Sequence, residues 1–185
     1  MTDPTAGQNV GYGDRIRHDY WHYKDVGFSP DGTPVAHLDP VDAVTQLRLM
    51  IAVLPATSSA SDELRSYDLA WVLHIVGDIH QPLHAVARFT REIPTGDQGG
   101  NAELVIPATG EIVTLHAYWD RTFGGYSSAF GAILDATNQD GIASINPNPA
   151  VAQALDPQIW ITESAALAQR YASRRRSVPA PTRRC

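Results

Sequence analysis

Only one cysteine occurs in the 185 residues, and it is the last residue, Cys185. No disulfide can form within the chain, and no thiol is placed to act as a nucleophile or a metal ligand in the interior. Long apolar runs are lacking too. No stretch of 18 apolar residues exists, so the sequence predicts no membrane-spanning helix. The first eight residues are polar, without the basic and apolar regions of a signal peptide. Positive charge is also short: 14 Lys and Arg stand against 20 Asp and Glu, a formal net charge of -6. A global basic field that would attract a polyanion is therefore excluded, although bound metal ions can reverse the charge of a site locally. What remains, 43% hydrophobic and 18% charged residues, is ordinary for one globular domain.

The pattern along the chain predicts a mainly α fold, a single helical domain with a minor β-hairpin. Residues 1–20 read as an irregular segment. Trp21, His22 and Tyr23 form an aromatic cluster ahead of the turn Ser29-Pro30-Asp31-Gly32. Residues 40–54 carry Val41, Val44, Leu47, Met50 and Ile51 at helical spacing. Ser61 is a candidate N-cap, with Asp62 and Glu63 in the first turn of a helix reaching Gln81. That helix is so apolar in its second half (Leu69, Trp71, Val72, Leu73, Ile75, Val76) that it should be central and buried, and Pro82 should end it. Residues 102–115 alternate around Ala108-Thr109-Gly110-Glu111 as a hairpin. Helices are expected at 116–121, near 130–136 and at 158–173. The basic tail 174–185 should be disordered.

The residues that carry chemistry are concentrated in His74-Ile75-Val76-Gly77-Asp78-Ile79-His80-Gln81-Pro82-Leu83-His84. His74 and Asp78 are four apart and share one helix face. Imidazole and carboxylate suit zinc, and the two oxygens of Asp78 can bridge two metals. His84 follows the Pro82 break, where the chain can turn its ring back to the same cavity, and Gly77 leaves room beside the ligands. His116 and Asp120 repeat the spacing of four, and His22 is a further candidate ligand. Against this stands the ordinary reading, in which each His–Asp pair is a hydrogen-bonded structural pair. His18 and His37 read as surface residues. His80 lies on another face and reads as a supporting or merely structural residue. Trp71 and Trp119 read as core.

The stretch from His74 to His84, Gly99-Gly100-Asn101, and Leu115-His116 through Trp119-Asp120 together resemble the zinc-dependent class I nucleases, the S-one and P-one type. This family shares its helical fold with zinc phospholipase C. Trp21-His22-Tyr23-Lys24-Asp25 looks like the family's aromatic-His-aromatic-X-Asp element, and Trp160 with Glu163 and Ser164 adds a later match. The resemblance spans residues 20–170. It implies that His22, His74 and Asp78 hold one zinc, with Asp78 bridging, and that His84, His116 and Asp120 hold another. It implies that Asp78 and Asn101 serve the chemistry, with Asn101 facing the phosphate. Tyr23 would stack on a base and Asp25 would hydrogen-bond its edge. The implied activity is hydrolysis of single-stranded DNA and RNA to 5′-phosphate products, with 3′-nucleotidase activity as an additional reaction. No protein partner is evident, and the implied location is secreted or periplasmic.

Departures from that pattern matter. Complete members are longer and open on a processed Trp that binds zinc through its amino and carbonyl groups. They also carry a Trp-X-Asp-X-X-Arg element, whose spacing Asp14 and Arg17 mimic without the Trp. The expectation is a nuclease domain over 21–173 that is incomplete at both ends, holding fewer than the family's three zinc ions and with weak or no activity. Two other readings stay open: a zinc phospholipase C, which Asp120 in place of Glu and the Gly99-Gly100-Asn101 element disfavour, and a non-catalytic zinc-binding remnant.

Overall fold

The computed structural model describes residues 18–36, 38, 40–108, 110–121, 128–138 and 141–172. Most of the first expected segment, His37, Thr109 in the hairpin turn and the tail beyond residue 172 lie outside them.

The described chain opens on a 3-10 turn, Asp19–Trp21, which sets Trp21 into the core. Strand β1, Val26–Phe28, follows. Helix α1, Ala43–Val53, begins at Asp42 through a full capping box with Thr45, which satisfies backbone donors that have no partner inside the helix. Helix α2, Asp62–His80, starts at the expected Ser61 cap, whose side chain accepts from the Leu64 amide. It stops because Gln81 is extended, as a residue before proline prefers. A 3-10 turn, Pro82–Ala85, then leads into β2, Val86–Arg88. The hairpin consists of β3, Leu104–Val105, and β4, Val113–Thr114, paired antiparallel. Helix α3, Leu115–Asp120, continues directly from β4. The remaining helices are α4, Ala129–Thr137, the single turn α5, Pro149–Ala152, and α6, Pro157–Leu167, which runs on into a π-helical turn, Ala168–Ala172.

One core joins these elements. Trp21, Ala43, Val44, Leu47 and Met50 meet Ile75 and Ile79 of α2, Leu83, Ala85 and Val86 of the following turn and strand, and Ile161, Ala165 and Ala168. Ser164 donates 2.7 Å to the Ile79 carbonyl, tying α6 to the last turn of α2, where that carbonyl would otherwise lack a partner. Trp71 and Trp119 pack against this core, as their helical spacing suggests.

Two expectations need correction. Helix α2 is not buried all round: of its residues only Asp68, Ile75 and Ile79 are buried, while Leu69 is 47% and Leu73 70% exposed. Packing against α1 and α6 takes up one side of the helix, so apolarity alone overstated its burial. His18 is not a surface residue either. It is buried and stacks on Trp21 with centroids 3.5 Å apart. The sequence pattern also missed the parallel pairing of β1 with β2, which aligns Val26 with Val86 and Phe28 with Arg88.

Leu47 is fully buried on α1, remote in sequence from every candidate ligand. Leu47→Ala should cost about 2–5 kcal/mol of stability while leaving metal uptake at moderate temperature unchanged. Urea unfolding and metal analysis of the folded variant check both halves.

Candidate metal centre

Two triads of ligand-type side chains form where α2, the turn after it, the His22 segment and α3 meet. His22, His74 and Asp78 make the first; His84, His116 and Asp120 make the second. Within each, one donor atom per residue lies within 4.8 Å of the others. His74 and Asp78 share a face of α2, with His74 Nε2 3.1 Å from Asp78 Oδ2. His22 Nδ1 is 2.8 Å from the same oxygen and 3.0 Å from His74 Nε2. In the second triad, His84 Nε2 is 3.5 Å and His116 Nε2 3.7 Å from the carboxylate oxygens of Asp120.

These separations permit a fit test. Ligand atoms bonded at about 2.0–2.1 Å to a tetrahedral zinc stand about 3.3 Å from one another. The first triad's separations, 2.8–3.1 Å, fall slightly below that value and the second's, 3.5 and 3.7 Å, slightly above it, so small side-chain movements would admit a cation. The tautomers fit as well. His84 Nδ1 donates 2.7 Å to the His22 carbonyl, and His116 Nδ1 donates 2.9 Å to the Gly99 carbonyl. A proton held on Nδ1 leaves Nε2 as a bare lone pair facing Asp120, the arrangement that metal-bound histidines require. A donor set of imidazoles and carboxylates is one that could hold a divalent metal ion.

The backbone explains why the triads are neighbours. Besides the His84–His22 bond, the Lys24 amide donates 2.9 Å to the His84 carbonyl, and the β1–β2 ladder continues from there. The strand pair missed in the sequence is thus what brings His22 beside His84. Gly99 and Gly100 adopt φ +60° and +83°. A Cβ on Gly99 would sit 2.4 Å from the Leu83 carbonyl oxygen, so only glycine lets this carbonyl-bearing turn approach His116. Gly77 differs: a Cβ there would meet open space, so the room beside the ligands does not depend on it. The Gly99 turn is anchored from behind. Buried Asp97 accepts 2.8 Å from the Arg88 amide and faces the buried Arg88 side chain, which also pairs with Glu103. Nothing in the sequence pattern singled out Arg88, Asp97 or Glu103, because a buried ion pair has no period.

A cleft of about 580 Å³ is lined by His22 of the first triad and by His84 and His116 of the second, together with Tyr23, Asp25 and Asn101. Tyr23 is 38% exposed, so part of its ring faces solvent. Asn101 Nδ2 donates 3.0 Å to the Gln98 carbonyl, leaving its side-chain oxygen outside that bond. Burial, then the charge of Asp97, push the Asp25 carboxyl up to about 6, against a smaller opposing pull from His116. Asp19 and Gln98 also line the cleft, and the sequence reading had not named either. His80 belongs to neither triad: its Nδ1 donates 2.7 Å to the Val76 carbonyl and its ring lies beside Trp160. Asp14 lies outside the described residues.

Two outcomes follow from this geometry. Gly99→Ala should destabilise the fold by about 1–3 kcal/mol through its strained φ and the clash with Leu83. It should also weaken metal binding at the His84, His116, Asp120 triad more than at the other; calorimetry and metal competition measure the two effects. Asp25 gives a pH signature in the metal-free protein. Its folded pKa lies above the unfolded value, so the folded state binds the extra proton, and Asp25's contribution to stability is lost as pH rises from about 4 through about 6. Relative to wild type, Asp25→Asn should therefore gain stability above pH ~6 compared with pH ~4, read as the difference between two melting profiles.

Comparison with known proteins agrees with this picture. No curated protein matches the chain. The S1/P1 nuclease family does match, over residues 5–181, which is wider at both ends than the 20–170 span of the motifs. The two ligand triads, the glycine turn that carries Asn101 and the helical framework all fall inside that match, and the chain belongs to the S1/P1 nuclease family, whose members are hydrolytic nucleases.

Proposed function

We propose that the chain is a zinc-dependent phosphodiester hydrolase acting on single-stranded DNA and RNA. The observation that carries the reading is the pair of triads, with His84 and His116 each holding Nδ1 on a backbone carbonyl and turning Nε2 toward Asp120, beside a cleft that His22, His84 and His116 line. His22, His74 and Asp78 would hold one zinc, and His84, His116 and Asp120 a second; fewer than three are expected. Asp78 would be shared with a neighbouring cation, the bridging role that the family resemblance implies. When bound, zinc supplies a water that ionises near neutral pH and positive charge for the phosphoryl oxygens.

The chain's own groups then have separate tasks. The two carboxylates and four imidazoles would hold the cations, so an acidic chain would still present local positive charge to a phosphate. Asn101 would donate its second amide hydrogen to a phosphoryl oxygen while the first stays on the Gln98 carbonyl. Tyr23 offers a ring face to an unpaired base, a face that stacked duplex bases do not expose. Asp25 would accept from the edge of that base, and the burial that raises its pKa would also strengthen such a bond. Products would carry a 5′-phosphate and a 3′-hydroxyl, with 3′-nucleotidase activity as a second reaction of the same cleft. Secretion or export to the periplasm follows the habit of the family. Among the described residues no helix is long and apolar enough to cross a membrane.

Hydrolysis of single-stranded DNA, single-stranded RNA, duplex DNA and phosphatidylcholine by one zinc-loaded preparation tests the reading. Cleavage of the single strands ahead of the duplex, with the lipid untouched, is the expected order. Preferential lipid hydrolysis would favour a phospholipase, and bound zinc without turnover would favour a non-catalytic remnant. Asp78→Asn should lower zinc per chain and abolish cleavage; unchanged zinc and rate would take Asp78 out of the site. Tyr23→Ala should keep its zinc and weaken single-strand binding by ~1–3 kcal/mol. A loss of folding stability at unchanged affinity would instead make Tyr23 a packing residue.

A further inference from the structure

Gln81 is the residue at which the second triad is held together, and its side chain works in two directions. Its Nε2 donates 2.8 Å to Asp120 Oδ1. Its Oε1 accepts 2.5 Å from the Leu83 amide, capping the 3-10 turn that carries His84. The backbone joins in: the Gln81 carbonyl accepts 3.0 Å from the His84 amide, and the Gln81 amide donates 2.9 Å to the Asp78 carbonyl. One residue therefore links the end of α2, the His84 turn and the carboxylate on α3, across 39 positions of sequence.

That link has a chemical purpose. Asp120 is exposed and stands at the C-terminal end of a six-residue helix. Its carboxylate would otherwise choose among several rotamers, each presenting a different oxygen to His84 and His116. An amide is the right group to hold it. It donates to Oδ1 without carrying a charge of its own, so it adds no repulsion toward a cation, as Lys or Arg would. The same amide's oxygen is spent on the turn, so rotation of the amide by 180° would lose both bonds, which fixes its orientation.

We propose that Gln81 is a positioning residue that sets the zinc affinity of the His84, His116, Asp120 triad by orienting Asp120. The proposal rests on the zinc reading of that triad. Groups that hold a ligand in place are worth about 10–100-fold in metal affinity when removed. Gln81→Met keeps the length of the side chain and loses both bonds. Gln81→Asn keeps a side chain able to cap the Leu83 amide and is too short to reach Asp120. Both variants should bind zinc at this triad about 10–100-fold more weakly, with the His22, His74, Asp78 triad unchanged.

The decisive experiment is a double-mutant cycle on zinc affinity, measured by chelator competition, with melting of the metal-free proteins alongside. Wild type, Gln81→Asn, Asp120→Asn and the double variant are compared. If Gln81 acts through Asp120, adding Gln81→Asn to Asp120→Asn costs little further affinity, and the metal-free melting points of Gln81→Asn and wild type are close. Full additivity, or wild-type affinity in Gln81→Asn, overturns the proposal and leaves Gln81 as a turn cap only. Wild-type protein that takes up no zinc at this triad would overturn the metal assignment instead, a different failure with a different signature.

Discussion

Two histidine rings must offer the same nitrogen to one point while their other nitrogen stays occupied, and much of the site's surroundings can be read from that requirement. A neutral imidazole carries one proton, and an unsatisfied backbone carbonyl nearby decides which nitrogen keeps it. His84 uses the carbonyl of His22, and His116 uses that of Gly99. The first choice demands that the His22 segment run alongside His84, which the β1–β2 ladder enforces. The second demands a backbone turn close enough to touch the ring, which only glycine at position 99 allows. Elements that look incidental, a three-residue strand pair and an irregular glycine turn, are positioned to serve these two bonds.

The surrounding polar groups have a cost that the same logic explains. Arg88 and Asp97 are buried, with Glu103 partly so, and a buried ion pair adds little net stability because desolvation offsets attraction. Their value lies in rigidity. Asp97 binds the Arg88 amide and, through its carbonyl, the Ala102 amide, so the turn between them cannot drift from His116. Burial and the Asp97 charge raise the Asp25 pKa, so its ionised form is disfavoured in the fold. Shifts of this kind gather at functional sites.

Much of this was legible in the sequence, and the reasons differ by element. Helix α1 announced itself by period and α2 by its Ser61 cap, which the structure carries, while the capping box of Asp42 with Thr45 was not read from the sequence. The spacing of four in His74–Asp78 and His116–Asp120 placed each pair on one helix face, because helical geometry is local. What joins distant segments left no such mark. The β1–β2 pairing rests on three residues in each strand, too short for alternation to register. His18 looked polar and exposed, yet a flat ring stacked on Trp21 can be buried. The exposed Leu69 and Leu73 show the converse, since apolar character says what a helix tolerates and its neighbours decide what is covered. Gln81 was visible only as the residue before a proline; its reach to Asp120 is a tertiary fact.

The central claim is that each triad is a metal site. Anomalous diffraction at the zinc edge from crystals grown with zinc tests it most directly. The account predicts one peak bounded by His22, His74 and Asp78 and another bounded by His84, His116 and Asp120, with Nδ1 of His84 and His116 still on their backbone carbonyls. Crystals soaked in zinc that show no peak at either triad, with the six side chains bonded to one another instead, would contradict it.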